Sequence, residues 1–170
     1  MTENNPLLHA VAMGNGYRVS KRFSLGDGEE FIVYIDPSDQ YGTIYMEPPA
    51  IEAPDGKAHL DVYEGATPAN LNDTLEVHNM RYDGKEFPSA TIEQVPNGDL
   101  DTTDPADKTE ETFVQAGGVF GSVGGAGVRG IWRVIPTTDV ISIVITDQSG
   151  GSGNSYAFDT VVYEGKELPN

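Results

Sequence analysis

Apolar and polar residues alternate with a period of two along most of this chain. Tyr17, Val19, Phe23 and Leu25 fall on one face of a candidate strand, with Lys21 among them, and Arg18, Ser20, Arg22 and Ser24 on the other. Phe31, Val33 and Ile35 alternate with Ile32 and Tyr34, and Ala58, Leu60 and Val62 with His59, Asp61 and Tyr63. Residues 43–47 are β-like and end at Pro48-Pro49, since proline cannot donate to a ladder. Shorter candidates are 74–78, 91–95 and 111–115; the last three, 130–135, 140–146 and 156–163, are the clearest. Period-two patterning places successive side chains on opposite faces of a strand. The 25 Val and Ile against 8 Leu favour the same state. No segment shows a helical stripe behind a capping residue.

About ten short strands of this kind predict an all-β fold, an antiparallel β-sandwich or barrel. Turn signals separate them: Gly26-Asp27-Gly28, Pro37-Ser38-Asp39, Pro54-Asp55-Gly56, Asp83-Gly84, Asn97-Gly98 and residues 150–154. No shift in composition marks a domain boundary. The expected organisation is an N-terminal arm over residues 1–14 and a single domain over 15–170. At 170 residues the chain can bury one sizeable core.

Charge changes the picture more than size does. Asp and Glu number 27 against 10 Lys and Arg, a net charge of −17. The acids are spread along the chain, whereas a disordered acidic tail would concentrate them. Such a surface repels itself in dilute salt and is screened in concentrated salt. We read it as adaptation to a salt-rich cell. The same charge argues against nucleic-acid binding, because phosphates are repelled. No apolar run reaches membrane-span length. The absence of cysteine removes disulfides, thiol nucleophiles and thiolate metal sites.

Candidate chemistry is sparse. Gly125-Ala126-Gly127-Val128-Arg129-Gly130 matches a dinucleotide fingerprint, but strand-like Ile131-Trp132-Arg133-Val134-Ile135 follows where a helix is required. His59 and Asp61 share a strand face and, with His78, suggest a two-His-one-carboxylate metal site; a polar outer face is the simpler reading. Residues 99–111 hold six acids and one Lys without EF-hand spacing, so a hydrated loop is preferred to a calcium site. Residues 117–130 hold seven glycines. Val62-Tyr63-Glu64-Gly65 recurs as Val162-Tyr163-Glu164-Gly165, which reads as one strand-end solution used twice. No catalytic residue, metal or cofactor is assigned, and the chain is read as non-enzymatic.

Segment order adds a resemblance. Gly16-Tyr17-Arg18-Val19-Ser20-Lys21-Arg22-Phe23 leads to a second strand ending Ile35-Asp36-Pro37, and a third segment closes with Val62-Tyr63-Glu64-Gly65. His78-Asn79-Met80-Arg81, a Gly-rich loop and Ile135-Pro136-Thr137-Thr138-Asp139 follow. The strand Ile141-Ser142-Ile143-Val144-Ile145-Thr146-Asp147 then precedes a last one closing Val162-Tyr163-Glu164-Gly165. Over residues 14–166 this order resembles small virion proteins of tailed phages and haloarchaeal tailed viruses.

The resemblance implies a jelly-roll-like protein that decorates the capsid or forms a vertex or tower (turret). It also implies a homo-oligomer, a trimer or pentamer, whose partners are the major capsid protein or other virion proteins. Localisation on the virion in high salt follows. The contact residues expected are Tyr17, Arg22, Phe23, Arg129 and Trp132, on strand 17–25 and the 117–130 region. Phe23→Asp or Trp132→Asp would then break the oligomer and leave the β-sheet intact. The alternatives are a module binding host-surface glycan or S-layer, and a small jelly-roll metalloenzyme using His59, Asp61 and His78.

Overall fold

The computed structural model describes residues 11, 13–37, 42–54, 56–81, 87–103, 108–114, 119–120, 133–151 and 153–165. Twelve strands lie among them: β1 (Gly16–Leu25), β2 (Glu30–Asp36), β3 (Ile44–Met46), β4 (Ala50–Glu52), β5 (Ala58–Glu64), β6 (Glu76–Asn79), β7 (Thr91–Val95), β8 (Lys108–Val114), β9 (Val119–Phe120), β10 (Arg133–Ile135), β11 (Ile141–Asp147) and β12 (Asn154–Glu164). Each of the ten expected segments contains a strand, with residue 115 and residues 130–132 of two of them outside the described residues. β4 and β9 are additional. Pro48-Pro49 does end β3, but the chain resumes at Ala50 and pairs again with the same neighbour, β12.

The strands form two antiparallel sheets, so the fold is an all-β sandwich. Sheet A has the order β10-β3-β12-β1-β6, with β4 joining β12 to β9. Sheet B has the order β7-β2-β11-β5-β8. The pairing is nested. β1 pairs with β12 along its whole length, from Gly16 opposite Tyr163 to Leu25 opposite Asn154. β2 pairs in the same way with β11, from Ile35 opposite Ile141 to Glu30 opposite Thr146.

Alternation explains which face each sheet buries. From sheet A, Tyr17, Val19, Leu25, Phe158 and Val162 meet Phe31, Val33, Ile35, Leu60, Ile143 and Ile145 from sheet B in one core. Sheet B is buried on its other face as well. There Ile32, Tyr34, Tyr63, Val95 and Val144 pack under Ala66 and Leu100. That second cluster accounts for the apolar residues at both alternating positions of β2. The 66–103 region holds this cover in place through backbone bridges of Pro68 with Leu100 and Asn72 with Gln94. Lys21 occupies an inner-face position at the sheet margin, and its Nζ donates to the Thr74 carbonyl at 2.7 Å. Its aliphatic stem can lie on apolar surface while the charge leaves it.

Two loops carry the chain from sheet to sheet at one end of the sandwich, and Asp147 binds them together. Its side chain is 1% exposed. It accepts from Ser149 N (3.0 Å), Ser149 Oγ (2.6 Å), Asn154 Nδ2 (3.2 Å) and the Tyr156 hydroxyl. Its backbone carbonyl accepts from Gly28 N at 2.9 Å, in the β1–β2 turn, where Gly28 adopts φ +77°. Burial pushes the Asp147 carboxyl up, and the hydrogen bonds from Ser149, Tyr156 and Asn154 outweigh it, leaving the net value below the ordinary one. Gly56 lies beneath the same tyrosine: a Cβ there would fall 2.2 Å from the Tyr156 hydroxyl oxygen.

The repeated tetrapeptides close β5 and β12 at the other end. They are not equivalent there. Glu164 is buried and accepts from Ser89 N, Ser89 Oγ and Ala90 N at 3.2, 3.0 and 2.6 Å, which ties the end of sheet A to the approach to β7 in sheet B. Glu64 is half exposed and lies 3.7 Å from Arg133. The two tyrosines also differ: Tyr63 joins the second cluster, whereas Tyr163 donates to Glu47 Oε1 at 2.5 Å.

Two predictions follow from these polar anchors. Asp147→Asn should cost about 2–3 kcal/mol at neutral pH, as expected when a buried acceptor of several donors is weakened. Because the folded carboxyl titrates below its unfolded value, the wild type keeps this stability above the unfolded value of about 4 and loses it as pH falls through the folded one. Denaturant midpoints measured from pH 7 down to about 2 should therefore fall less steeply in the variant. Gly56→Ala should reproduce the neutral-pH loss by displacing the Tyr156 hydroxyl. In the second test, Glu164→Gln should cost about 1–3 kcal/mol and Glu64→Gln under about 0.5 kcal/mol, read from the same midpoints.

Candidate functional site

The outer face of sheet A brings the most chemistry-bearing side chains together. Outward positions of β1 are Arg18, Ser20, Arg22 and Ser24, because Tyr17, Val19 and Leu25 point into the core. Those of β12 are Ser155, Ala157, Asp159 and Val161. Strand register aligns them in rows. Arg18 stands between His78 and Val161, and Ser20 between Glu76 and Asp159. Arg22 stands beside Ala157, which neighbours Glu52 of β4; Ser24 stands beside Ser155. Small and charged residues thus alternate along the two central strands, with Glu52 and Glu76 on the strands that flank them. The result is a shallow trough of 460 Å³ lined by Arg18, Ser20, Arg22, Glu52, Ala157 and Asp159, among others. A second hollow of 350 Å³ continues it past Ser24 and Ser155 towards Pro54.

Within this face the charges are unequally engaged. Arg18 grips Asp159: its Nε lies 3.1 and 2.9 Å from the two carboxylate oxygens, and its Nη2 also donates to Oδ2. Two-point contact of this kind fixes both side chains and raises the Arg18 guanidinium above its ordinary value. Arg22, Glu52 and Glu76 are exposed and have no ion-pair partner among the described residues. Period-two patterning predicted which β1 residues face outward. Asp159 as the mate of Arg18 was not predicted, since the two are 141 positions apart. Only strand register joins them.

The expected contact residues separate on this frame. Arg22 is exposed at the centre of the face. Tyr17 is 2% exposed in the core, where its hydroxyl donates to the Phe87 carbonyl at 3.4 Å. Phe23 is half buried and stacks on Phe31, with ring centroids 3.9 Å apart, and on Tyr156 at 5.5 Å. Both aromatics therefore serve the interior first. Arg129 and Trp132 lie outside the described residues, as does most of the Gly-rich region.

The His–Asp–His grouping is split between sheets. His59 and Asp61 sit on the outer face of sheet B, Nε2 to Oδ1 3.4 Å apart, while His78 is on β6 of sheet A opposite Arg18. A one-residue alternation cannot reveal that β5 and β6 belong to different layers. Glu30 occupies the same outer row as His59, and burial followed by the charge of Asp61 raises its carboxyl. No cluster of three or more metal-ligating residues occurs among the described residues. In the acidic region, Asp99 accepts from Asn70 and Asp101 caps Thr103, while Asp104 and Asp107 lie outside the described residues.

Phe23→Asp should lower stability by about 2–4 kcal/mol in denaturant titration, because it removes a stacked ring from the core and puts a charge there. It tests packing before it tests association; Arg22→Glu, on the exposed face, leaves the core alone.

Compared with family models, curated proteins and solved structures, the chain matches none of them.

Proposed function

We propose that this protein is a structural component of a salt-adapted tailed virus, decorating the capsid or building a vertex or tower as a homo-oligomer. The observation that carries the reading is the strand order. β2-β11-β5-β8 in one sheet, and β1-β12 followed by β3 and β4 and then β10 and β9 in the other, support a jelly-roll reading of the sandwich. β6 and β7 extend the two sheets at their edges. Jelly rolls recur in viral capsid and lectin domains. Their loops gather at the ends of a rigid body, which suits a subunit that must fit a lattice.

Charge supports the salt-adapted part of the reading. At −17 the chain repels its own copies unless salt shortens the Debye length from about 30 Å at 0.01 M to about 3 Å at 1 M. Cyclic oligomers match the three-fold and five-fold positions of a capsid. The test is molar mass by light scattering after size exclusion, from about 0.1 M to about 3 M salt. Three or five times the 18.3 kDa chain mass, reached as salt rises, is the expected result. A mass of 18.3 kDa at every salt concentration would overturn the oligomeric reading and favour a monomeric surface-binding module.

A further inference from the structure

We infer that the outer face of sheet A is a contact surface for a second copy of this chain, met face to face about a two-fold axis. The argument starts from charge. Over the whole chain acids outnumber bases 27 to 10, yet the outer face carries Arg18 and Arg22 against Glu52, Glu76 and Asp159, and Lys21, from its inner-face position on β1, reaches the margin of the trough. It is a charge-balanced patch on a strongly anionic molecule, where two copies approach with the least repulsion. Its exposed Arg22 and its exposed Glu52 and Glu76 do not pair with one another. Both signs are therefore available to an identical surface.

Register makes the face self-complementary. An axis parallel to the strands, between β1 and β12, exchanges those two columns between copies. Asp159 of one copy then lies over Ser20 of the other, between Arg18 and Arg22, which are ~7 Å to either side along the strand. In the next row Arg22 lies over Ala157 of the other copy, one strand (~4.8 Å) from its Glu52. Ser20 and Ala157 leave room opposite them for the Asp159 and Arg22 side chains of the other copy. Such an isologous contact is separate from any cyclic ring and does not depend on the virion reading. The face covers only about 400 Å² from strand spacing and rise, below the ~800 Å² per partner of a standard interface, so the pair is weak in isolation. Salt strengthens it over the range in which long-range repulsion between the copies is being screened.

The lack of native cysteine gives a clean test in the full chain. Ser20→Cys, at the floor of the trough, is treated at high protein concentration in about 2 M salt with a bis-maleimide of about 10 Å reach, which spans two Ser20 positions one strand apart on facing sheets, with Thr137→Cys on the exposed β10–β11 turn as control. Cross-linked dimer should form at least about tenfold faster from S20C. Adding Arg22→Glu should slow it about tenfold, and the charge-swapped R22E/E52R combination should restore it. Circular dichroism checks that every variant keeps its β-sheet. Equal rates for S20C and T137C, or failure of the charge swap to restore S20C dimerisation, would overturn the proposal.

Discussion

The antiparallel pairing of β1 with β12 is the constraint on which the other layers depend. These strands begin near opposite ends of the sequence and lie together across ten residues of register. Once they are paired, the crossing turn after β1 and the crossing loop before β12 fall side by side. β2 and β11 are then delivered together into sheet B. β5 can join β11, and β3 and β4 can join β12, only after that frame exists. Closing such long sequence separations costs entropy before contacts offset it, so the fold is one of high contact order.

Buried polar groups then make that frame specific. Asp147 gathers the crossing loops at one end and Glu164 ties the two sheets at the other. Each accepts several hydrogen bonds, as a buried carboxylate must if its desolvation is to be offset. The sandwich is therefore held by apolar burial between the sheets and by one buried, hydrogen-bonded carboxyl group at each end. Few acids of this −17 chain are spent in this way. Among the described acids only Asp61, Asp147 and Glu164 are buried; the others reach solvent, where dilute salt leaves them to repel one another.

The two sheets have different environments among the described residues. Sheet B is covered on its outer face by Ala66, Leu100 and their neighbours. Sheet A presents Arg18, Arg22, Glu52 and Asp159 around a floor of Ser and Ala. A rigid sheet holds those charges at fixed spacing, which a loop would not do. Its role as a contact surface follows from that order and from its neutral balance.

Period-two alternation was enough to place ten strands and to say which residues of β1 face outward, because side-chain direction in a strand is a local property. It also gave the turns at Gly26-Asp27-Gly28 and Asn97-Gly98, where Gly28 and Gly98 take positive φ, since glycine acts through its own backbone. Local pattern did not show that Pro48-Pro49 interrupts a strand region without ending its pairing to β12. It did not separate Glu64 from Glu164, whose flanking tetrapeptides are identical. Nor did it show that His59 and His78 lie in different sheets, that Phe23 meets Phe31, or that Arg18 meets Asp159. These are matters of register between strands far apart in sequence. Composition and alternation carry no information about register; only the packed pair of sheets determines it, because a shift by one residue would turn the core outward.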